Sequence, residues 1–144
     1  MVLLKWQVCS KLAVKCKMSV ILYLWQLPQH LLGLLLILLS RAKKKGEYYS
    51  AKRFFNSGIS LGRYIILQED CAYYDTIKHE TGHSIQSKYF GPLYLLIVGL
   101  PSIARNIWDR IGHNNWDYNK RYKWYYSAWP EKQADKLGGV VRRF

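Results

Sequence analysis

Acidic residues are scarce in this chain of 144 residues: nine Asp and Glu stand against 22 Lys and Arg, a formal net charge of +13. Such a balance points to anionic partners, either lipid headgroups or nucleic acid. Cysteine is scarcer still. Cys9, Cys16 and Cys71 are odd in number and lack CxxC spacing, which excludes a disulfide framework and a cysteine-rich zinc site and fits a reducing compartment. Cys16 lies beside an apolar run and is open to acylation, but it reads as an ordinary thiol. A secretory leader is also disfavoured. The apolar run is followed by Arg41-Ala42-Lys43-Lys44-Lys45, where a small-residue cleavage site would stand.

Histidine and glutamate number only four each, yet they meet in His79-Glu80-Thr81-Gly82-His83, an HExxH string. At these frequencies roughly 0.003 chance occurrences are expected in a chain of this length. On a helix, residues four apart share a face, so both imidazoles can reach one metal ion. Glu80 stands where its carboxylate can reach a metal-bound water without ligating the metal. Zinc held by neutral imidazoles lowers the pKa of such a water to about 7, and a nearby glutamate can take its proton. A third ligand is still required.

The stretch Trp129-Pro130-Glu131-Lys132-Gln133-Ala134-Asp135-Lys136-Leu137-Gly138 can supply it. Pro130 suits the first turn of a helix and Gly138 its end. Glu131 and Asp135 then share one face. One of them can complete a His2Glu sphere while the other accepts the free N–H of a ligating histidine. The competing reading is a surface helix carrying a mildly repulsive carboxylate pair.

His79-Glu80-x-x-His83 followed by Glu131-x-x-Ala134-Asp135-x-x-Gly138 resembles the gluzincin metallopeptidases, in particular the membrane-associated CAAX-prenyl-protease type. The resemblance implies His79, His83 and Glu131 as zinc ligands, Glu80 as general base, and Asp135 as the partner that orients a histidine. Residues 57–140 are also similar to a small bacterial membrane-protein family with a KHExGHxxQSxxxGPLYL segment. The chain is much shorter than the larger peptidases and lacks most of their membrane helices. A metzincin-like site would need a histidine where Tyr89 stands. His113, in Gly112-His113-Asn114-Asn115, is an alternative ligand or a transition-state donor, with a plain loop histidine as the simplest reading. His30 lies far upstream in an apolar run and is set apart from the metal.

Residues 18–39 carry no formal charge across 22 positions, enough to cross a hydrocarbon core of about 30 Å. Gln26, Pro28, Gln29 and His30 interrupt the run, so a kinked transmembrane helix or a re-entrant hairpin is expected. Residues 1–17 form a basic N-terminal segment and 40–58 a basic linker. The denser basic cluster after the run favours a cytoplasmic catalytic domain. The basic flanks suit anionic headgroups. Nucleic acid is the less favoured partner, because Trp and Tyr among Lys and Arg at 120–126 equally suit a membrane interface.

The domain at 59–144 is expected to open with one strand over 59–67, in which Ile59, Leu61 and Tyr64 are candidates for pairing with an extended substrate. Asp75 is expected to cap a helix over 76–88 that carries the HExxH. A second apolar run, 90–104, is short for a span. It must be re-entrant, interfacial or buried if Glu131 is to reach His83. The expected fold is mainly α with a short β element, an α+β zincin-like minimal core behind an N-terminal transmembrane or re-entrant helix. The expected function is a membrane zinc metallopeptidase acting on a peptide or protein. The alternatives are a non-catalytic membrane protein with a structural zinc, or a basic lipid- or nucleic-acid-binding protein with a chance HExxH.

Overall fold

The computed structural model describes residues 20–52 and 57–142. The expected basic segment 1–17, the first two residues of the expected anchor, and Cys9 and Cys16 lie outside the described residues. The fold is mainly helical with a small mixed sheet. Residues 20–25 are helical, Gln26 interrupts, and α1 runs Leu27–Ser40. Pro28 suits its first turn. No helix among the described residues is long and apolar enough to cross a membrane.

The expected linker is not a linker. It contains β1 (Lys43–Lys45) and β2 (Tyr48–Ala51), antiparallel around Gly46-Glu47, with Gly46 at φ 64°. Lysine runs read as solvated tethers, but an edge strand tolerates three exposed lysines and is protected by them. The single strand expected over 59–67 is likewise two, β3 (Gly58–Leu61) and β4 (Tyr64–Gln68), joined by Gly62-Arg63. Gly62 has φ 62°, the left-handed value that a two-residue hairpin loop demands at its first position. The sheet order is β1-β2-β4-β3, with β2 and β4 parallel. Ile66 and Leu67 of β4 are fully buried.

The helix α2 (Tyr74–Phe90) carries the HExxH. It begins before Asp75, after extended Tyr73, so Asp75 lies in the first turn rather than at the cap. Gly91, at φ 51°, ends it. The apolar run that follows is not one straight helix. It makes a 3-10 turn (Gly91–Leu93) and a π turn (Leu95–Gly99) before α3 (Leu100–Gly112). Pro101 has no N–H to offer, and the Leu100 N–H reaches back five residues to Leu95, which widens the turn. Tyr94 and Val98 of this run form the core with Leu61, against Leu36, Ile59 and Phe90. Asp117 caps α4 (Tyr118–Ser127) by accepting from the Lys120 N–H at 3.0 Å. The last helix is α5 (Glu131–Gly138), ended by Gly139 at φ 72°.

Candidate metal centre

Helices α2 and α5 pack backbone to backbone, because glycine faces backbone at both ends of the contact. A Cβ on Gly82 would collide with the Ala134 carbonyl, and one on Gly138 with the Lys78 carbonyl. That proximity brings together His79 and His83 from α2 with Glu131 and Asp135 from α5. All four are buried. His79 Nε2 lies 3.0 Å from Glu131 Oε2, His83 Nε2 lies 3.2 Å from the same oxygen, and the two Nε2 atoms are 3.2 Å apart. Tetrahedral zinc with N and O donors at about 2.0–2.1 Å holds those donors ~3.3 Å from one another. The triangle in the protein is already close to that size. Among the described residues, this is the one His/Cys/Asp/Glu cluster with ligand atoms so gathered.

The hydrogens make the case stronger. His79 Nδ1 is 2.7 Å from Asp135 Oδ1, and Arg142 grips that carboxylate through Nε and Nη2 at 2.6 and 2.8 Å. His83 Nδ1 is 2.7 Å from Gln86 Oε1. The Gln86 amide can point only one way, since its Nε2 donates to the Pro130 carbonyl at 3.1 Å and to Gln133 Oε1 at 2.9 Å. Both Nδ1 atoms therefore donate, and each neutral ring keeps a bare lone pair on Nε2. With both rings neutral, two nitrogen lone pairs and a carboxylate thus converge on one point. Only a cation satisfies that arrangement.

Without metal, the cation is a proton. Burial works against a charge on His79, but the hydrogen bonds to Asp135 and Glu131 outweigh it and push the pKa up to about 9. Burial by itself would raise Glu131, yet its bonds from His79 and His83 hold it well below the usual carboxylate range. Asp135 is lowered in the same way, against burial, by His79 and Arg142. Glu131 Oε1 has no partner at all.

Glu80 is the second unsatisfied carboxylate. Its Oε2 is buried without a partner, and burial pushes its pKa up. It lies against β3, where a Cβ on Gly58 would stand 2.7 Å from Glu80 Oε1. His79, Glu80, His83 and Glu131 all line a cavity of about 730 Å³. The phenols of Tyr125 and Tyr126 line it too and are held protonated, Tyr125 by burial and by the Glu131 charge, Tyr126 by burial above all.

Other expected site residues are placed differently. Ile59 and Leu61 lie on β3, an edge of the sheet beside α2, and line the cavity. Tyr64 does not share that edge. It is in β4, between β2 and β3, with its ring against His30 and Tyr49. The Gly62 turn reverses the chain before it. His113 is not among the gathered ligands. It caps α3, with Nδ1 3.4 Å from Asp109 and its ring stacked 3.8 Å from Trp116. Arg105 is occupied by the Trp124 and Tyr125 carbonyls.

Three contributors escaped the sequence reading. Gln86 had a signal, since it follows His83 by three residues and shares its helix face. Arg142 and Tyr126 had none. Arg142 stacks 3.4 Å above the Tyr126 ring, whose edge meets His79 at 5.2 Å, and only tertiary structure makes that sandwich. Comparison with protein-family models, curated proteins and solved structures finds no match for the chain.

Proposed function

We propose that this protein is a membrane-associated zinc metallopeptidase that hydrolyses peptide bonds on a zincin-like minimal core. The observation that carries the reading is the convergence of His79 Nε2, His83 Nε2 and Glu131 Oε2 within 3.0–3.2 Å of one another. Two imidazoles and a carboxylate suit zinc, and these three residues would hold it. Bound there, zinc supplies Lewis acidity, which brings the pKa of a water close to neutrality.

The chain's own groups do the rest. Glu80 accepts one proton from the attacking water and returns it to the amide nitrogen as the C–N bond breaks. The water's oxygen ends on the acyl product and the proton on the amine. A carboxyl whose pKa is raised by burial is suited to both halves of that exchange. Asp135 and Gln86 hold the two rings in the tautomer that leaves each Nε2 free. An extended peptide pairing with edge strand β3 would pass over Glu80.

Membrane association is supported by the pattern of α1, which buries Gln29, His30 and Gly33 while exposing Leu31, Leu34, Leu35, Leu38 and Leu39. The basic cluster after α1 favours a cytoplasmic site.

Zinc content of detergent-purified protein tests the reading. One zinc per chain is expected in the wild type and in Glu80→Gln, with little or none in His83→Ala or Glu131→Ala. Hydrolysis should fall roughly 10²- to 10⁴-fold in Glu80→Gln. Zinc retained by Glu131→Ala would overturn the ligand set. Equal activity of Glu80→Gln and wild type would remove Glu80 as the base, and zinc with no hydrolysis in either would leave the zinc structural. No metal in any form would leave a basic membrane protein with a coincidental motif.

A further inference from the structure

Helix α3 is inside out by the standards of a protein in water. Its polar side turns inward: Arg105 donates to the Trp124 and Tyr125 carbonyls, and Asp109 receives Arg121 at 2.7 Å. Its apolar side turns outward. Leu96 in the preceding turn and Leu100, Ile103, Ile107 and Ile111 recur at helical spacing, and each is between 49% and 72% exposed. Such a stripe in water would expose apolar area without compensation. Helix α1 repeats the inversion. Gln26 donates to Ser87 Oγ at 2.8 Å and Gln29 to the Gly91 carbonyl, while the leucines face out.

The two stripes meet at the cavity. Leu32 of α1 and Leu96, Leu100, Ile103 and Ile107 line it, and all five are also exposed. Residues that face both the cavity and the outside mark its mouth. Whatever covers the stripes therefore covers the entrance to the metal centre.

We infer that α3 lies in the surface of an anionic bilayer with this stripe immersed, so that the cavity opens into lipid and takes an apolar, lipid-resident chain segment. An in-plane amphipathic helix immerses one face to the acyl boundary and needs no crossing helix. Charge selects a bilayer over a second copy of the chain. At +13, two copies repel each other, whereas anionic headgroups attract the exposed Lys43, Lys44 and Lys45 that follow α1. The docking surface stands by itself; the substrate class rests on the metallopeptidase reading.

Flotation of the full chain with vesicles of phosphatidylcholine, with and without phosphatidylglycerol, tests the docking. Binding is expected to the anionic vesicles. Ile111→Glu, outside both cavity and metal centre, should reduce it roughly 10- to 100-fold, the scale set by burying one isoleucine. Bimane on Ile107→Cys, with the native cysteines replaced by serine, should be quenched by doxyl-labelled lipid and shielded from iodide. The same dye on Lys136→Cys of α5 should respond the other way. Free access of iodide to position 107 in bound protein, or unchanged flotation of Ile111→Glu, would overturn the proposal. So would a dimer that Ile111→Glu dissociates while flotation persists. Zinc is measured on the same preparations. Protein that docks as expected but holds no zinc would keep the surface and remove the peptidase.

Discussion

Gln86 offers the sharpest test of the hydrogen-bond argument. Replacing it by Leu keeps the bulk and removes every polar atom. His83 Nδ1 then loses its acceptor at 2.7 Å, while the Pro130 carbonyl and Gln133 Oε1 lose their donor. Buried polar groups left without partners cost about 1–3 kcal/mol each, so a fall in stability of about 2–6 kcal/mol is expected from His83 and the Pro130 carbonyl, since half-buried Gln133 keeps Trp129 as a donor. The effect on metal is separate. Loss of the group that orients a ligating histidine typically weakens metal affinity roughly 10- to 100-fold, which is about 1.4–2.7 kcal/mol. Gln86→Glu divides the two effects. Its carboxylate still accepts from His83, as Asp135 does for His79, but it cannot donate to Pro130. Gln86→Glu should therefore keep zinc affinity within about threefold of the wild type, or improve it, while losing stability. Chelator competition gives the affinity and urea unfolding of the metal-free protein gives the stability. Equal zinc affinity in Gln86→Leu and wild type would refute the tautomer argument, because His83 would then need no partner at Nδ1.

Other outcomes follow from the same geometry. Gly82→Ala places a methyl against the Ala134 carbonyl, so α2 and α5 must separate; a loss of about 1–3 kcal/mol is expected, with weaker zinc binding read in the same titration. Normal affinity would show that the helices can part without moving Glu131. Asp135→Asn should lower zinc affinity roughly 10- to 100-fold, because an amide can present N–H to His79 Nδ1 and turn the tautomer over; an unchanged constant would remove Asp135 from the site. His79 governs the pH dependence of the metal-free protein. Its pKa rises from 6.5 to about 9 on folding, so its stabilising contribution is complete below about 6.5 and disappears as pH climbs through 9. Glu131 and Asp135 are lowered and act only at acid pH, where their contribution is lost as pH falls. Thermal unfolding without metal should therefore show Tm falling between pH 7 and pH 9.5, and a flat profile there would contradict the assignment. Zinc displaces the same proton. Titration calorimetry in two buffers of different ionisation enthalpy should find about one proton released per zinc near pH 7.5, and none released would mean His79 is neutral.

Local sequence determined the chemistry of the centre. Spacing of four placed His79 and His83 on one helix face and Glu131 and Asp135 on another, and Pro130 with the closing glycines marked the short helix α5. Those are short-range consequences of helix geometry, readable from a few residues. Apolar runs also announced α1 and the segment 90–104, although the first suggested a span that no helix among the described residues is long and apolar enough to make. Turn chemistry was legible but missed. Gly46 and Gly62 each convert an apparent linker or single strand into a hairpin, because a left-handed first residue suits the favoured two-residue loops.

What tertiary structure decided is pairing over long separations. The contact of Gly82 with Ala134, the Gln86 amide held by Pro130, and Arg142 between Asp135 and Tyr126 join residues up to 52 positions apart. No local propensity encodes them. Tertiary packing also set which side of α1 and α3 faces out, since an amphipathic pattern fixes two faces but not which of them meets the protein. Here the polar faces turn inward, where buried carbonyls and hydroxyls await donors, and the leucine and isoleucine faces are left exposed.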